Sequence, residues 1–196
     1  MFESEDINNL IQKLKKIPGF SKKSSEKFVY WIFDNEQISV NLLVNDIKKI
    51  KENTKFCNNC TNILDKKLEC KICNDETRKN TLLVLENLSI LDKIEKSGFY
   101  FGRYFIFNKQ IESEYDYKNN LAYINDFLNY AKGFEEIILG ISPTLKGEIL
   151  INILKKALKN LKLKVSQIAI GVPLGASVDY IDETTLKFSI KNRQKD

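Results

Sequence analysis

The sequence contains no histidine. That removes the commonest general base, the Ser/His and Cys/His nucleophile pairs, and any histidine-bound catalytic metal. Catalysis would have to rest on carboxylates, lysines or a carboxylate-held magnesium. No apolar run approaches the ~20 residues of a membrane span. The polar, acidic N-terminus lacks the basic and apolar regions of a signal peptide. A soluble, cytoplasmic protein without membrane contact is therefore expected. Arginine is almost missing, with only Arg78, Arg103 and Arg193, so the net charge of +5 rests on lysine. Abundant Lys, Asn and Ile reads as codon bias. The charge permits nucleic-acid binding without demanding it, and position has to carry the argument.

All four cysteines lie in CNNCTNILDKKLECKIC, residues 57–73. Two C-x2-C pairs separated by nine residues put Cys57, Cys60, Cys70 and Cys73 on two knuckles, the arrangement of a tetrahedral structural Zn²⁺ site. Four protein ligands leave no open position, so this zinc would hold structure and catalyse nothing. Disulfides would need an oxidising compartment, an iron–sulfur cluster suits paired knuckles less well, and a redox pair would sit in a βαβ context.

At 196 residues the chain can bury a real core, with a small satellite. Before the cysteines, apolar periodicity predicts three helices. They span 3–17 (Ile7, Leu10, Ile11, Leu14 and Ile17 on one face), from about Ser24 (Phe28, Trp31 and Ile32 inward), and 40–55 (Val40, Leu43, Ile47 and Ile50). Pro18 and Gly19 break the first. The join IPGFSKKSSEK, residues 17–27, places Lys23 and Lys27 on one face beside a short turn. Backbone N–H groups at such a turn can grip a phosphate, the logic of a helix-hairpin-helix. An ordinary packing turn with solvated lysines fits the same residues.

After the cysteines the rhythm alternates. Strands are predicted at 81–85, 103–107, 135–141 and 165–170, and helices at 88–96, 122–131, 146–161 and from Tyr180 onward. This implies an α/β fold with a mostly parallel sheet and a polar, flexible connection at 108–120. Glu86 and Glu148 follow the first and third strands, where functional groups gather. They read either as a pair holding Mg²⁺, or as a loop-ordering residue and a first-turn helix acid. The second is favoured, because no further carboxylate sits in that loop and Lys146 opposes a cation.

The ordered set IPGFSKKSSEK, the four cysteines, LVLE then GRYF, ISPTLKGE, and IAIGVPLG then DETTL resembles the RecR family of bacterial recombination mediators. The resemblance covers nearly the whole chain. It implies a helix-hairpin-helix region over 1–55, a zinc finger over 56–78, a Toprim domain over 79–168, and a C-terminal Gly-Val-Pro and helix segment over 169–196 that joins subunits. It further implies a non-enzymatic, nucleoid-associated, sequence-independent DNA clamp for repair and recombination. Such a clamp is a dimer assembling to a ring tetramer, and works with RecO and RecF to load RecA on gapped DNA. Lys23 and Lys27 match the family's DNA-binding positions and Glu86 its Toprim glutamate, while Glu148 lies in the matching ISPTLKGE stretch. The alternatives are a Mg-dependent Toprim nuclease or primase-like enzyme, against which the missing D-x-D counts, and a protein-interaction module without direct DNA contact. Four departures stand out. Ser21 replaces a glycine, where strain is expected. Lys146 stands at a usually acidic place, Ala176 follows Gly175 where a second glycine is usual, and the acidic run 108–120 replaces a longer glycine-rich segment.

Overall fold

Apolar runs bounded by polar turns become four strands in the computed structural model, which describes residues 4–193. They are β1 Thr81–Leu85, β2 Arg103–Ile106, β3 Glu136–Gly140 and β4 Lys164–Gln167, all parallel, in the order β2-β1-β3-β4. Parallel neighbours need crossovers, and helices supply them: α4 Leu88–Ser97, α6 Leu121–Ala131 and α7 Leu145–Leu158. β1 is a continuous apolar run because both of its faces are covered. Leu82 and Val84 join Phe105, Phe107, Ile137 and Leu139 against α6 and α7. Leu83 and Leu85 join Tyr104, Ile106, the α4 residue Leu91 and three of the cysteines on the other face. The ring of Phe105 lies 5.0 Å from that of Phe127, and both side chains are buried.

The chain divides into two units, Met1–Thr54 and Lys55–Asp196. In the first, α1 spans Glu5–Leu14, α2 Lys22–Asp34 and α3 Gln37–Asn53. The expected start of α1 at residue 3 falls outside the described residues. Its end comes three residues earlier than the periodicity suggests. Ile17 precedes Pro18 and is disfavoured in helix, so Ile17 N donates back to Leu14 O at 2.8 Å in a tightened final turn and Ile17 is exposed. α2 begins at Lys22 rather than near Ser24, because the Ser21 hydroxyl accepts from Ser24 N at 3.1 Å and caps it. Ser21 has φ −76, extended backbone open to any residue, so the expected strain is absent. Gly19, at φ 88, is the position that needs glycine. In α2 the buried residues are Ser25 and Val29. Phe28, Trp31 and Ile32 are half-buried, with Phe28 stacked on Trp31 at 5.7 Å.

The third helix runs two to three residues ahead of its expected bounds, and its apolar stripe does not enter a core. None of its residues is buried, and Ile47 and Ile50 are 58 % and 68 % exposed. Periodicity reports a face that needs covering, not which molecule covers it.

The 108–120 connection is not structureless. Ser113 caps a further helix, α5 Glu114–Asn119, by accepting from Asp116 N, a serine signal overlooked in an otherwise polar run. α4 and α6 each run one residue beyond their expected bounds, while β2, β3, β4 and the last two helices are shorter than the sequence suggests. β2 stops at Ile106 and β4 at Gln167. The 146–161 helix closes as a 3₁₀ turn, Lys159–Leu161, and the last helix, α8 Glu183–Lys191, starts from its Asp182 cap. No helix among the described residues is long and apolar enough to cross a membrane.

One glycine is sterically required by the sheet's functional end. A Cβ on Gly147 would collide with the Ser142 carbonyl oxygen, so the loop after β3 folds against the start of α7 only over bare backbone. Gly147→Ala should therefore destabilise by about 1–3 kcal/mol, read from the urea midpoint. Gly171→Ala, where nothing lies within 4 Å, should change stability by under about 0.5 kcal/mol; equal effects would refute the steric account.

Candidate metal centre and the crevice at the strand ends

The knuckles are built by backbone turns. Thr61 N donates to Cys57 O at 2.9 Å, and Asn74 N to Cys70 O at 3.0 Å. Cys73 N donates to the Cys70 sulfur at 3.4 Å. A short antiparallel bridge, Phe56 with Ile63, closes the first knuckle. These turns bring four sulfurs within 4.8 Å of one another, with Cys57–Cys73 at 3.8 Å and Cys60–Cys70 at 3.5 Å. A tetrahedron with metal–sulfur bonds of ~2.3 Å has edges of ~3.8 Å, so the donor set fits a four-coordinate metal ion. The sulfurs compete for charge. Hydrogen bonding to Cys70, then to Cys73, and burial push the Cys60 thiol up. The contacts with Cys60, then with Cys73, hold the Cys70 thiol down. A cation lets all four ionise together.

The centre is locked to the sheet by residues that no cysteine pattern announces. β2 is an edge strand, and its exposed backbone is satisfied by the first knuckle. Ile106 N donates to Cys60 O at 3.0 Å, and the Thr61 hydroxyl donates to Ile106 O at 2.6 Å. Thr61 does this at φ 58, left-handed backbone that costs a non-glycine residue about 1 kcal/mol. The Tyr130 hydroxyl from α6 sits 3.5 Å from the Cys73 sulfur; burial, then that sulfur, pushes the phenol up. Behind the second knuckle, Arg78 makes a two-pronged contact with Glu95 at 2.9 and 2.6 Å and an ion pair with Asp75 at 3.2 Å. Tyr104 donates to the same Glu95 at 2.7 Å. The Arg78 contact, then the Tyr104 hydrogen bond, hold the Glu95 carboxyl below its ordinary range against some desolvation.

At the carboxyl ends of β1 and β3 lies a cavity of about 290 Å³, bordered by Glu86, Phe107, Glu112, Thr144, Lys146 and Leu150. β1 has neighbours reached by opposite crossovers, which opens a crevice there. Glu86 is spent on the loop: one oxygen accepts from Ser142 N at 3.0 Å and from the Ser142 hydroxyl at 2.5 Å. Lys146 pairs with Glu112 at 2.7 Å. Glu148 borders a different hollow with Gln167, Ile168 and Phe188. The two glutamates are thus not brought to one cavity. Lys23 and Lys27, in the other unit, are exposed on the first turns of α2. Neither is in an ion pair among the described residues, whereas Lys22 reaches Glu26 at 4.0 Å.

A four-sulfur knuckle built onto one face and edge of a Toprim-type parallel sheet, in a chain that also carries a separate three-helix unit, defines a finger-and-Toprim protein. Residues 171–194 match the family model "RecR, C-terminal". The chain is 38% identical over 192 residues to the recombination protein RecR of Mycoplasmopsis pulmonis, covering 98% of this chain and 100% of that one. It is 37% identical over 194 residues to that of Finegoldia magna, covering 96% of each. With that of Ehrlichia canis it shares 31% over 191 residues, covering 96% of this chain and 97% of the other. The chain belongs to the RecR family of recombination proteins.

Two outcomes test this site. Cys60→Ser should abolish tight metal binding, and the wild-type chain should shed its metal as pH falls and the thiolates protonate; metal analysis after dialysis at stepped pH reads both, and retention by Cys60→Ser would sink the four-sulfur assignment. Glu95→Gln should cost about 1–2 kcal/mol at neutral pH. Because the folded pKa of Glu95 is depressed, its contribution is complete above the unfolded value near ~4.3 and vanishes as pH falls through the folded one. The wild-type and Glu95→Gln stability curves should therefore converge in acid; parallel curves would rule the contribution out.

Proposed function

We propose that this chain is a DNA-binding mediator of repair and recombination that clamps DNA without reading sequence. One observation carries the reading: the α1–α2 turn. Gly19 at φ 88 and the Ser21 cap turn the chain sharply into α2, whose first N–H groups have no partner within the helix. Lys23 and Lys27 stand exposed beside them. That is a phosphate grip. The metal is zinc, since four thiolates in a tetrahedral set select it and leave no open coordination position. The zinc keeps the finger on the sheet.

In the strand-end crevice Glu86 organises the Ser142 loop, and Glu148 offsets the start of α7. Lys146 sits in the crevice and is neutralised by Glu112, so its ammonium opposes a divalent cation there, which favours a docking surface over Mg²⁺ chemistry. RecO and RecF are the partners by kinship, and loading of RecA on gapped DNA is the task. The uncovered apolar stripe of α3 and the exposed Leu174 and Tyr180 support self-assembly, as a dimer closing to a ring tetramer. A cytoplasmic, nucleoid-associated location follows from that role. Ring closure multiplies contacts that are individually weak.

Replacing Lys23 and Lys27 together by alanine should lower the slope of log affinity against log salt by about 2 for duplex DNA, with melting temperature unchanged. Zinc-loaded protein should also survive a salt wash on closed circles and slide off linear DNA. An unchanged salt slope would remove the hairpin from the DNA contact, and equal loss from circles and linear DNA would remove the clamp.

A further inference from the structure

Residues 149–178 contain no aspartate or glutamate, although the chain carries 26 of them among 196 residues, so a run this long without one departs from the chain's own composition. The same stretch holds Lys155, Lys156, Lys159, Lys162 and Lys164. Codon bias adds lysines everywhere, but it does not remove carboxylates. The fold then gathers these lysines, and all five are exposed. Lys155 and Lys156 lie in the last turn of α7, Lys159 in the 3₁₀ turn after it, Lys162 in the link to β4, and Lys164 opens β4. Lys155 Nζ donates to the Gln167 side-chain oxygen at 2.9 Å, which lays the helix end alongside β4, an outer strand of the sheet. The result is one ridge of ammonium groups.

Two ordinary roles explain part of it. Cations at a helix end answer its dipole, which accounts for Lys155 and Lys156. A lysine on an outer strand discourages edge pairing, which accounts for Lys164. Neither role accounts for Lys159 and Lys162, nor for the missing counter-charges. Lysines three or four apart on a helical surface repel, and Lys155 and Lys156 both stand at that spacing from Lys159. Lys164 pairs with Glu136 at 3.4 Å; among the described residues Lys156, Lys159 and Lys162 are in no ion pair. Adjoining elements do not cancel the ridge. Residues 179–193 carry three charges of each sign, and α6 with the residue after it carries Asp126 and Lys132. Lys146 already pairs with Glu112. Glu135 and Glu136 where β3 begins and Glu148 in the first turn of α7 leave five lysines against three carboxylates.

What the ridge lacks decides its partner. Between residues 150 and 167 no large apolar side chain is exposed; Leu161, Leu163 and Val165 pack on the core instead. A protein partner would need an apolar or aromatic anchor at the centre of its footprint. A single-strand platform would need aromatic faces, and residues 135–179 contain no Phe, Tyr or Trp. Exposed charge without faces or pockets is the chemistry that meets a duplex phosphate backbone.

We propose that this ridge is a second duplex-DNA contact, in which Lys156, Lys159 and Lys162 each meet a backbone phosphate. The inference rests on the chain binding DNA, but not on the hairpin lysines. It gives each unit of the chain its own sequence-blind grip.

The test is fluorescence anisotropy of zinc-loaded, full-length protein with a labelled blunt duplex over a salt series. Replacing Lys156, Lys159 and Lys162 together by glutamine should lower the slope of log affinity against log salt by about 2 to 3, with melting temperature held because all three are exposed. Lys159→Gln alone should lower it by about 1, which keeps the test readable if the triple variant melts lower. The same triple exchange at Lys66, Lys67 and Lys71, exposed on the finger, removes equal charge and should move the slope by less than about 1. An unchanged slope in the ridge variants would end the proposal and leave an acidic protein as what the lysines meet. Equal drops in both triple variants would make net charge the cause and end it too. The Lys23/Lys27 double alanine variant separates the two readings. If it leaves the salt slope intact while the ridge variants lower it, the hairpin reading falls and this one stands.

Discussion

One face of the sheet and its β2 edge depend on four sulfurs being held together. Cys57, Cys60 and Cys70 are buried among Leu83, Leu85, Tyr104 and Ile106, so the metal knuckle is a wall of the core and not an appendage. The same knuckle covers β2, whose Ile106 backbone would otherwise face water as an open edge. Ordering the sulfurs therefore does two jobs. It completes the apolar face beneath α4, and it satisfies the hydrogen-bonding groups of an edge strand.

That dependence makes sense of the residues around it. Thr61 accepts left-handed backbone because its hydroxyl reaches the Ile106 carbonyl. Arg78, Glu95, Asp75 and Tyr104 form one charged cluster where the second knuckle leaves the finger, so the segment entering β1 starts from a defined point. Leu68 shares the left-handed geometry of Thr61 because the turn closed by Asp65 and Glu69 needs it there. The crevice at the other end of the sheet follows a different logic. Its charges are answered from within, Glu86 by Ser142 and Lys146 by Glu112.

Much of this architecture can be read in the sequence because it is local. The run TLLVL can only be a strand covered on both faces, and two C-x2-C pairs can only aim sulfurs at one point if the knuckles close. Ser113 shows where reading by composition fails: a polar, acidic stretch looks like a loop until its cap is noticed. The α3 stripe shows the other failure. Val40, Leu43, Ile47 and Ile50 recur at helical spacing whether the face meets this chain or another copy, and periodicity carries no information about the partner.

The sequence by itself determined the four strands, every helix but α5, and the four-thiolate donor set, since each arises from residues close together in the chain. Only the tertiary structure decided that Glu86 and Glu148 face different hollows and that Tyr130 and Thr61 serve the metal centre. Those pairings join residues whose separation along the chain is arbitrary. Only the crossovers of a parallel sheet and the closing of the knuckles bring them within reach.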